Sequence, residues 1–173
     1  MAMTTSVRKN FTLTNVIALS KYLKGFTPII EKDKQLLEFL DAMYIHGPDE
    51  NFDVLYHGFM FRGISSNLLL NIGDINKMEF ASWSKDIDIA VDFANKQRAW
   101  RQYLLIYYGW AIDPAKIKTI ALNQFDALTG LENYNPSREK EVIAPLIPGE
   151  CVILDISGNN RKPIETFEQT IGK

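Results

Sequence analysis

Apolar residues recur at helical spacing through the first third of the chain. Val16, Leu19 and Leu23 mark one amphipathic helix, and Leu36, Leu37, Phe39, Leu40, Met43 and Tyr44 mark a second that should stop near Gly47-Pro48. From about Asp53 the period shortens to two. Val54 to Arg62 reads as a strand, with Leu55, His57, Phe59 and Phe61 on one face and Tyr56, Gly58, Met60 and Arg62 on the other. A short strand is expected near Glu79–Ser82, then a helix near Asp86–Arg98 with Ile87, Ala90, Val91 and Ala94 as its buried stripe. Tyr103–Trp110 is almost continuously apolar, as a strand covered on both faces should be. Ile117–Leu122, Glu139–Ala144, Glu150–Ile156 and Pro163–Ile171 are further strand candidates, with turns at Pro148-Gly149 and Ser157–Asn160. Helices first and strands later is an α+β order, so the sheet should be mostly antiparallel.

Composition narrows the class. With 173 residues, 46% hydrophobic and 23% charged, the chain can bury a core without disulfides and is not of disordered, fibrous or coiled-coil type. Repeats and Gly/Ser/Pro linkers are absent from the sequence, which predicts one domain over 1–173, helical to about 50 and β-rich from about 53. No apolar run approaches the roughly 20 residues that span a bilayer, so no membrane association is expected. A formal charge of −2 implies no dominant basic surface for duplex nucleic acid. Cys151 is the single cysteine, which suits a reducing compartment. Met1–Ile30 carries Arg8, Lys9, Lys21 and Lys24 and no acid, but lacks the apolar stretch of a secretory signal. The reading is a cytoplasmic monomer.

Three short motifs can carry chemistry, and each has an ordinary structural explanation beside it. In Glu139-Lys140-Glu141, a strand would project both carboxylates from one face, an electrostatic cost unless something uses them. The plain alternative is an edge strand balanced by Arg138 and Lys140. Arg62-Gly63 ends an otherwise apolar strand; the guanidinium either reaches solvent or grips an anion, and the glycine allows close approach to the backbone. Ser82-Trp83-Ser84 lies where a strand gives way to a helix, so Ser84 can serve as an N-cap and Trp83 as core.

Taken in order, these motifs are more specific. Phe61-Arg62-Gly63, then Phe80-Ala81-Ser82-Trp83-Ser84 followed by Ala90 and Phe93-Ala94, then Glu139-Lys140-Glu141 before Pro148-Gly149, resemble mono-ADP-ribosyltransferases of the Arg–Ser–Glu class, most of all the compact phage-encoded members. The resemblance spans about Leu55 to Ile156. It implies an α+β fold of two packed antiparallel sheets behind N-terminal helices, with NAD as co-substrate in a cleft between the sheets and no metal. Arg62 then corresponds to the arginine that holds the NAD phosphates and ribose, and the Gly63 backbone to the contact with the nicotinamide amide. Ser82 corresponds to the serine that orients the catalytic glutamate, Ser84 to the second serine of that motif, Glu141 to the catalytic glutamate, and Glu139 to the upstream glutamate of arginine-modifying members. Trp83 departs from the pattern, where a small residue is commoner; pointing into the cleft, it would stack on the cofactor or narrow the pocket, and pointing into the core, it would change nothing.

The chemistry is consistent with those roles. Breaking the nicotinamide–ribose bond passes through an oxocarbenium-like species, which a nearby carboxylate stabilises. A second carboxylate can position a guanidinium acceptor and take its proton. The segment between Leu122 and Ser137 would contact the target; Phe125 and Tyr134, read as exposed and accompanied by Asp126 and Glu132, suit an arginine-bearing protein, unless Phe125 and Leu128 plug the core. The expected activity is transfer of ADP-ribose from NAD to a protein arginine, in a host cytoplasm if the phage analogy holds. RNA or water as acceptor is the second reading, and a non-enzymatic binding module the third. His46 and His57 with one cysteine cannot build an ordinary zinc site, and Asp86, Asp88 and Asp92 lack calcium-loop spacing. Phosphate-cradling and dinucleotide-binding glycine fingerprints are absent from the sequence.

Overall fold

A computed structural model describes residues 5–26, 29–50, 54–126 and 128–172, with side chains for all of these except 5–6, 45–50 and 139. The amino-terminal part is helical: α1 (Thr5–Asn10), α2 (Leu13–Leu23) and α3 (Lys34–Glu50). Thr12 caps α2 by accepting from the Asn15 amide, and α2 buries Val16, Ala18, Leu19 and Ser20. Helix α3 continues past Gly47-Pro48 to Glu50. A proline in a closing turn removes a hydrogen bond there without breaking the turns already formed.

The remainder is β1 (Leu55–Ser66), β2 (Met78–Ser84), α4 (Ile87–Lys96), β3 (Arg101–Ile112), α5 (Pro114–Phe125), α6 (Pro136–Glu139), β4 (Glu141–Leu146), β5 (Val152–Asp155) and α7 (Lys162–Gly172). All pairings described are antiparallel, in the order β1-β2-β4-β3-β5, and β1 also pairs with β3 along its whole length. The sheet thus returns on itself as a small barrel. Its joins are uneven: β1 meets β2 at Phe61↔Ser84 and β3 meets β4 at Ile112↔Ile143, whereas β1 with β3 and β2 with β4 pair extensively. The two sheets expected from the sequence are therefore two halves of one hydrogen-bonded sheet.

Three apolar layers hold this arrangement. Met60, Ala81, Trp83, Leu105, Ala111, Val142, Ala144 and Leu146 form a core among β1–β4. The amino-terminal helices and α5 pack against Leu55, Phe80, Ile112 and Ile143. On another face, α4 and α7 cover Phe61, Leu104 and Ile106. Gly63 is demanded by this last contact, because a Cβ there would lie 1.8 Å from the Ala90 carbonyl oxygen and 2.8 Å from the Ala94 amide nitrogen. Ala90 and Ala94 are the small residues that let the helix backbone lie directly on the strand.

Several expected strands are not strands. Ile117–Leu122 lies inside α5, where Asp113 caps the helix by accepting from the Ala115 amide and Pro114 occupies the first turn. Ile117 and Ala121, four residues apart, are its buried face. Pro163–Ile171 lies inside α7, which buries Ile164 and places Phe167 against Phe59 and Phe61 at 5.4 and 6.3 Å between ring centroids. Glu150–Ile156 shortens to β5, because Pro148–Glu150 forms a 3-10 turn. Glu139–Ala144 divides: Glu139 ends α6, Lys140 is left-handed at φ 48°, and the strand begins at Glu141. The two glutamates therefore do not share a strand face.

Candidate active site

Strand alternation separates the Ser82–Ser84 motif into two roles. In the β2–β4 register, Ser82 faces Ile143 and Ser84 faces Glu141. Side chains at these positions share one face, while Trp83 and Val142 point to the other. Trp83 is 2% exposed, packs beside Tyr107 and donates its indole N–H to the Ala144 carbonyl at 3.2 Å. It is core, as the milder expectation had it.

On the opposite face lies a cleft of about 480 Å³, lined among others by Tyr22, Lys24, Arg62, Gly63, Ser82, Ser84, Phe93 and Glu141. A hydrogen-bonded chain occupies it. The Ser82 hydroxyl donates to Glu141 Oε2 at 2.5 Å, and the Ser82 carbonyl accepts from the Arg62 guanidinium at 2.7 Å. The Tyr22 hydroxyl lies in short contact with the Ser82 Oγ. Glu141 is only 9% exposed. A buried carboxylate is costly without partners, and here a hydroxyl hydrogen bond and the field of a nearby guanidinium supply them.

The titration behaviour follows from the same burial. Arg62 is pushed below its ordinary value by burial, opposed by the Tyr22 and Glu141 charges. Guanidinium nevertheless remains the charged form at neutral pH. Burial raises Tyr22, reinforced by the Glu141 charge, so the phenol stays protonated.

Ser84 is 7% exposed, and its hydroxyl accepts from the Asp86 amide at 3.0 Å. It shapes the turn from β2 into α4, while the helix cap itself is Asp86, whose carboxylate accepts from the Asp88 amide at 2.9 Å. Lys140 joins this turn rather than balancing the glutamates: its ammonium pairs with Asp86 at 3.2 Å and its carbonyl accepts from the Lys85 amide at 2.9 Å. Burial would raise the Asp86 carboxyl, but hydrogen bonds from Lys140 and from the Asp88 and Ile89 amides outweigh it and hold it below the usual range.

The structure thus brings Arg62, Gly63, Ser82, Ser84 and Glu141 to one cleft. Glu139 sits two residues before Glu141, across the left-handed turn, and its side chain lies outside the described residues. Phe125 and Tyr134 are not among the residues that line the cleft. Both are half-buried against the helical layer, and Phe125 stacks on Phe11 with ring centroids 6.2 Å apart and planes 8° from parallel. Leu128 of the same segment is 69% exposed. The exposed pair of aromatics expected there is therefore not present as such. Among the described residues no group of three His, Cys, Asp or Glu could hold a metal, and no helix is long and apolar enough to cross a membrane.

Tyr22 was not legible as a site residue. It lies on the helix whose apolar stripe is Val16, Leu19 and Leu23, and three residues from Leu19 it sits at the edge of that stripe. A phenol at the margin of an apolar face, followed by Gly25 at a helix end, was the available signal.

No protein-family model matches the chain, no curated protein matches it, and no solved structure matches it.

Proposed function

We propose that the protein is an NAD-dependent mono-ADP-ribosyltransferase with an arginine acceptor. The observation that carries this reading is the meeting of Arg62, Ser82 and Glu141, drawn from three separate motifs, in one hydrogen-bonded chain inside a cleft. A cleft of about 480 Å³ falls in the range of small-molecule and cofactor sites. Arg62 and Lys24 give it two cationic groups, suited to the diphosphate of NAD. Arg62 would hold that diphosphate bidentately, and Gly63 and Ser84 would line the nicotinamide end, as the resemblance implies.

In the reaction the C–N bond between nicotinamide and ribose breaks, and its electron pair leaves with the ring as neutral nicotinamide. Positive charge develops on the ribose, and Glu141, held by Ser82, stabilises it. The acceptor nitrogen then bonds to the ribose carbon and gives up its proton. Glu139, two residues before Glu141 at the end of α6, is the carboxylate assigned to receive that proton. Metal is not required by any step.

The half-buried state of Phe125 and Tyr134 weakens the sequence argument for a protein acceptor, so RNA or water stands as the second reading. One experiment separates these. Labelled NAD is incubated with protein and a cell lysate, comparing wild type with Glu141→Gln. The expected result is label on protein, released by hydroxylamine and reduced at least about 100-fold in the variant, the scale of losing a transition-state electrostatic contact. Nuclease-sensitive label identifies RNA, and free ADP-ribose without label identifies water. Absence of NAD turnover overturns the enzyme reading and leaves a binding module.

A further inference from the structure

We propose that Tyr22 is a positioning residue that acts through Ser82, fixing its hydroxyl so that Glu141 is held in one orientation; this rests on the transferase reading above. Ser82 has one hydroxyl hydrogen, and it is committed to Glu141 Oε2 at 2.5 Å. Towards Tyr22 the serine oxygen can then only accept, so the phenol donates. The direction of the whole chain is set: Tyr22 to Ser82 to Glu141. Without the phenol hydroxyl, the Ser82 rotor regains other positions, and the carboxylate loses the Ser82 hydrogen bond for part of the time.

The fold places Tyr22 firmly. Helix α2 ends with Gly25 at φ +85°, whose amide bonds to the Tyr22 carbonyl at 2.9 Å, while the Phe26 amide bonds to the Lys21 carbonyl at 2.9 Å. This paired closure ends a helix at a left-handed glycine and fixes the last turn, which carries Tyr22. The ring also packs on the helical layer. The same layer grips β2 a second time, where the Glu31 carboxylate accepts from the Glu79 and Phe80 amides at 2.9 and 3.3 Å. Both contacts act on the strand that carries Ser82. The amino-terminal helices are thereby part of the site and not merely beside it.

The test is a double-mutant cycle on NAD turnover, with Tyr22→Phe, Ser82→Ala and the double variant. Tyr22→Phe keeps the ring and its packing, and thermal unfolding of each variant is followed alongside. The expected result is a fall of about tenfold in kcat for Tyr22→Phe with the KM for NAD within about twofold, the size of one hydrogen bond in the charged network. In the Ser82→Ala background, Tyr22→Phe should cost nothing further. A residue that only packs would give losses that multiply, and multiplying losses overturn the proposal. A kcat within about twofold of wild type, or a change in KM alone, overturns it as well. In both cases wild-type turnover remains and the transferase reading stands. Wild-type protein that does not turn over NAD overturns that reading and this proposal together.

Discussion

Gly63→Ala distinguishes two jobs for one glycine. The sequence admits a residue left bare so that a ligand can approach the backbone, whereas the structure shows the bare side occupied by α4. An alanine Cβ would lie 1.8 Å from the Ala90 oxygen and 2.8 Å from the Ala94 nitrogen, both main-chain atoms of a helix. Ordinary carbon–oxygen contact would require the helix to retreat by more than about 1 Å, and no side-chain rotation can substitute for that movement. Retreat would loosen Ala90, Val91 and Ala94 from Phe61, Leu104 and Ile106. Overpacking of this kind costs typically about 1–3 kcal/mol, and contact with rigid backbone places this case near the top of that range. In a domain of this length, each kcal/mol moves Tm by about 2–4 °C, so a fall of roughly 6–12 °C is expected. Urea unfolding should show a lower midpoint at unchanged slope. The measurement to pair with it is the KM for NAD, because α4 also supplies Ala90 and Phe93 to the cleft wall. A Gly63→Ala protein as stable as wild type, to within about 0.5 kcal/mol, would refute the packing argument. If its NAD affinity alone had dropped, the glycine would serve the ligand.

Trp83→Phe should lower stability by about 1–3 kcal/mol in urea titrations, through a lost bond to the Ala144 carbonyl left buried and a smaller ring in the core; KM for NAD should not move, since the indole faces away from the cleft. Asp86→Asn keeps a capping side chain and removes the charge that pairs with Lys140. Because the Asp86 carboxyl is held below its ordinary value, its contribution is complete above the unfolded-state carboxylate pKa and lost as pH falls through the lower folded one. Being a partly exposed pair, it should be worth at most about 1 kcal/mol near neutrality, and thermal melts of the two proteins should converge in strong acid. A difference that persists undiminished at low pH would exclude the charge as its source.

The parts of the fold that the sequence reveals are those where one periodicity acts alone. β1 is a run rich in apolar and aromatic residues and α4 repeats its small apolar residues at helical spacing, so a strand and a helix lie where those patterns predict, although β1 runs on past Arg62 to Ser66. Ile117–Leu122 and Pro163–Ile171 misled because both are short and rich in β-branched or mixed residues. In each case the decisive information stood just upstream: Asp113-Pro114 before α5, and Asn160, whose side chain accepts from the Lys162 amide, before α7. Glu139-Lys140-Glu141 misled differently. Three residues of alternating charge look like a strand, yet Lys140 takes a left-handed conformation stabilised by its carbonyl bond to Lys85 and its ammonium bond to Asp86. Those partners lie more than fifty residues away in sequence, so no local pattern could announce them. Residue type singles out Arg62, Ser82 and Glu141 in the sequence, and the structure brings them to one cleft; Tyr22 does not stand out, because only tertiary packing brings it to Ser82.

The position of the cleft follows from how the barrel closes. β2 pairs with β4 from Ala81–Ser84 to Glu141–Ala144, but it touches β1 at the single pair Phe61↔Ser84. From that pair the two halves part, and the polar groups at the seam must find other partners. Arg62, the next residue along β1, crosses the seam to the Ser82 carbonyl, and Tyr22 approaches Ser82 from the helical side. The α4 backbone closes the other flank against Gly63. A seam in a small barrel would ordinarily be a weakness in hydrogen bonding. Here the atoms that repair it are the same atoms that aim a buried carboxylate into a cleft, so stability and site geometry cannot be tuned separately at Arg62 or Ser82. Substitutions there should lower both Tm and turnover, whereas Glu141→Gln, which retains an acceptor for Ser82, should lower turnover with little change in Tm. A large loss of Tm in Glu141→Gln would show that the carboxylate charge, and not the shape of the hydrogen-bonded chain, holds the seam together.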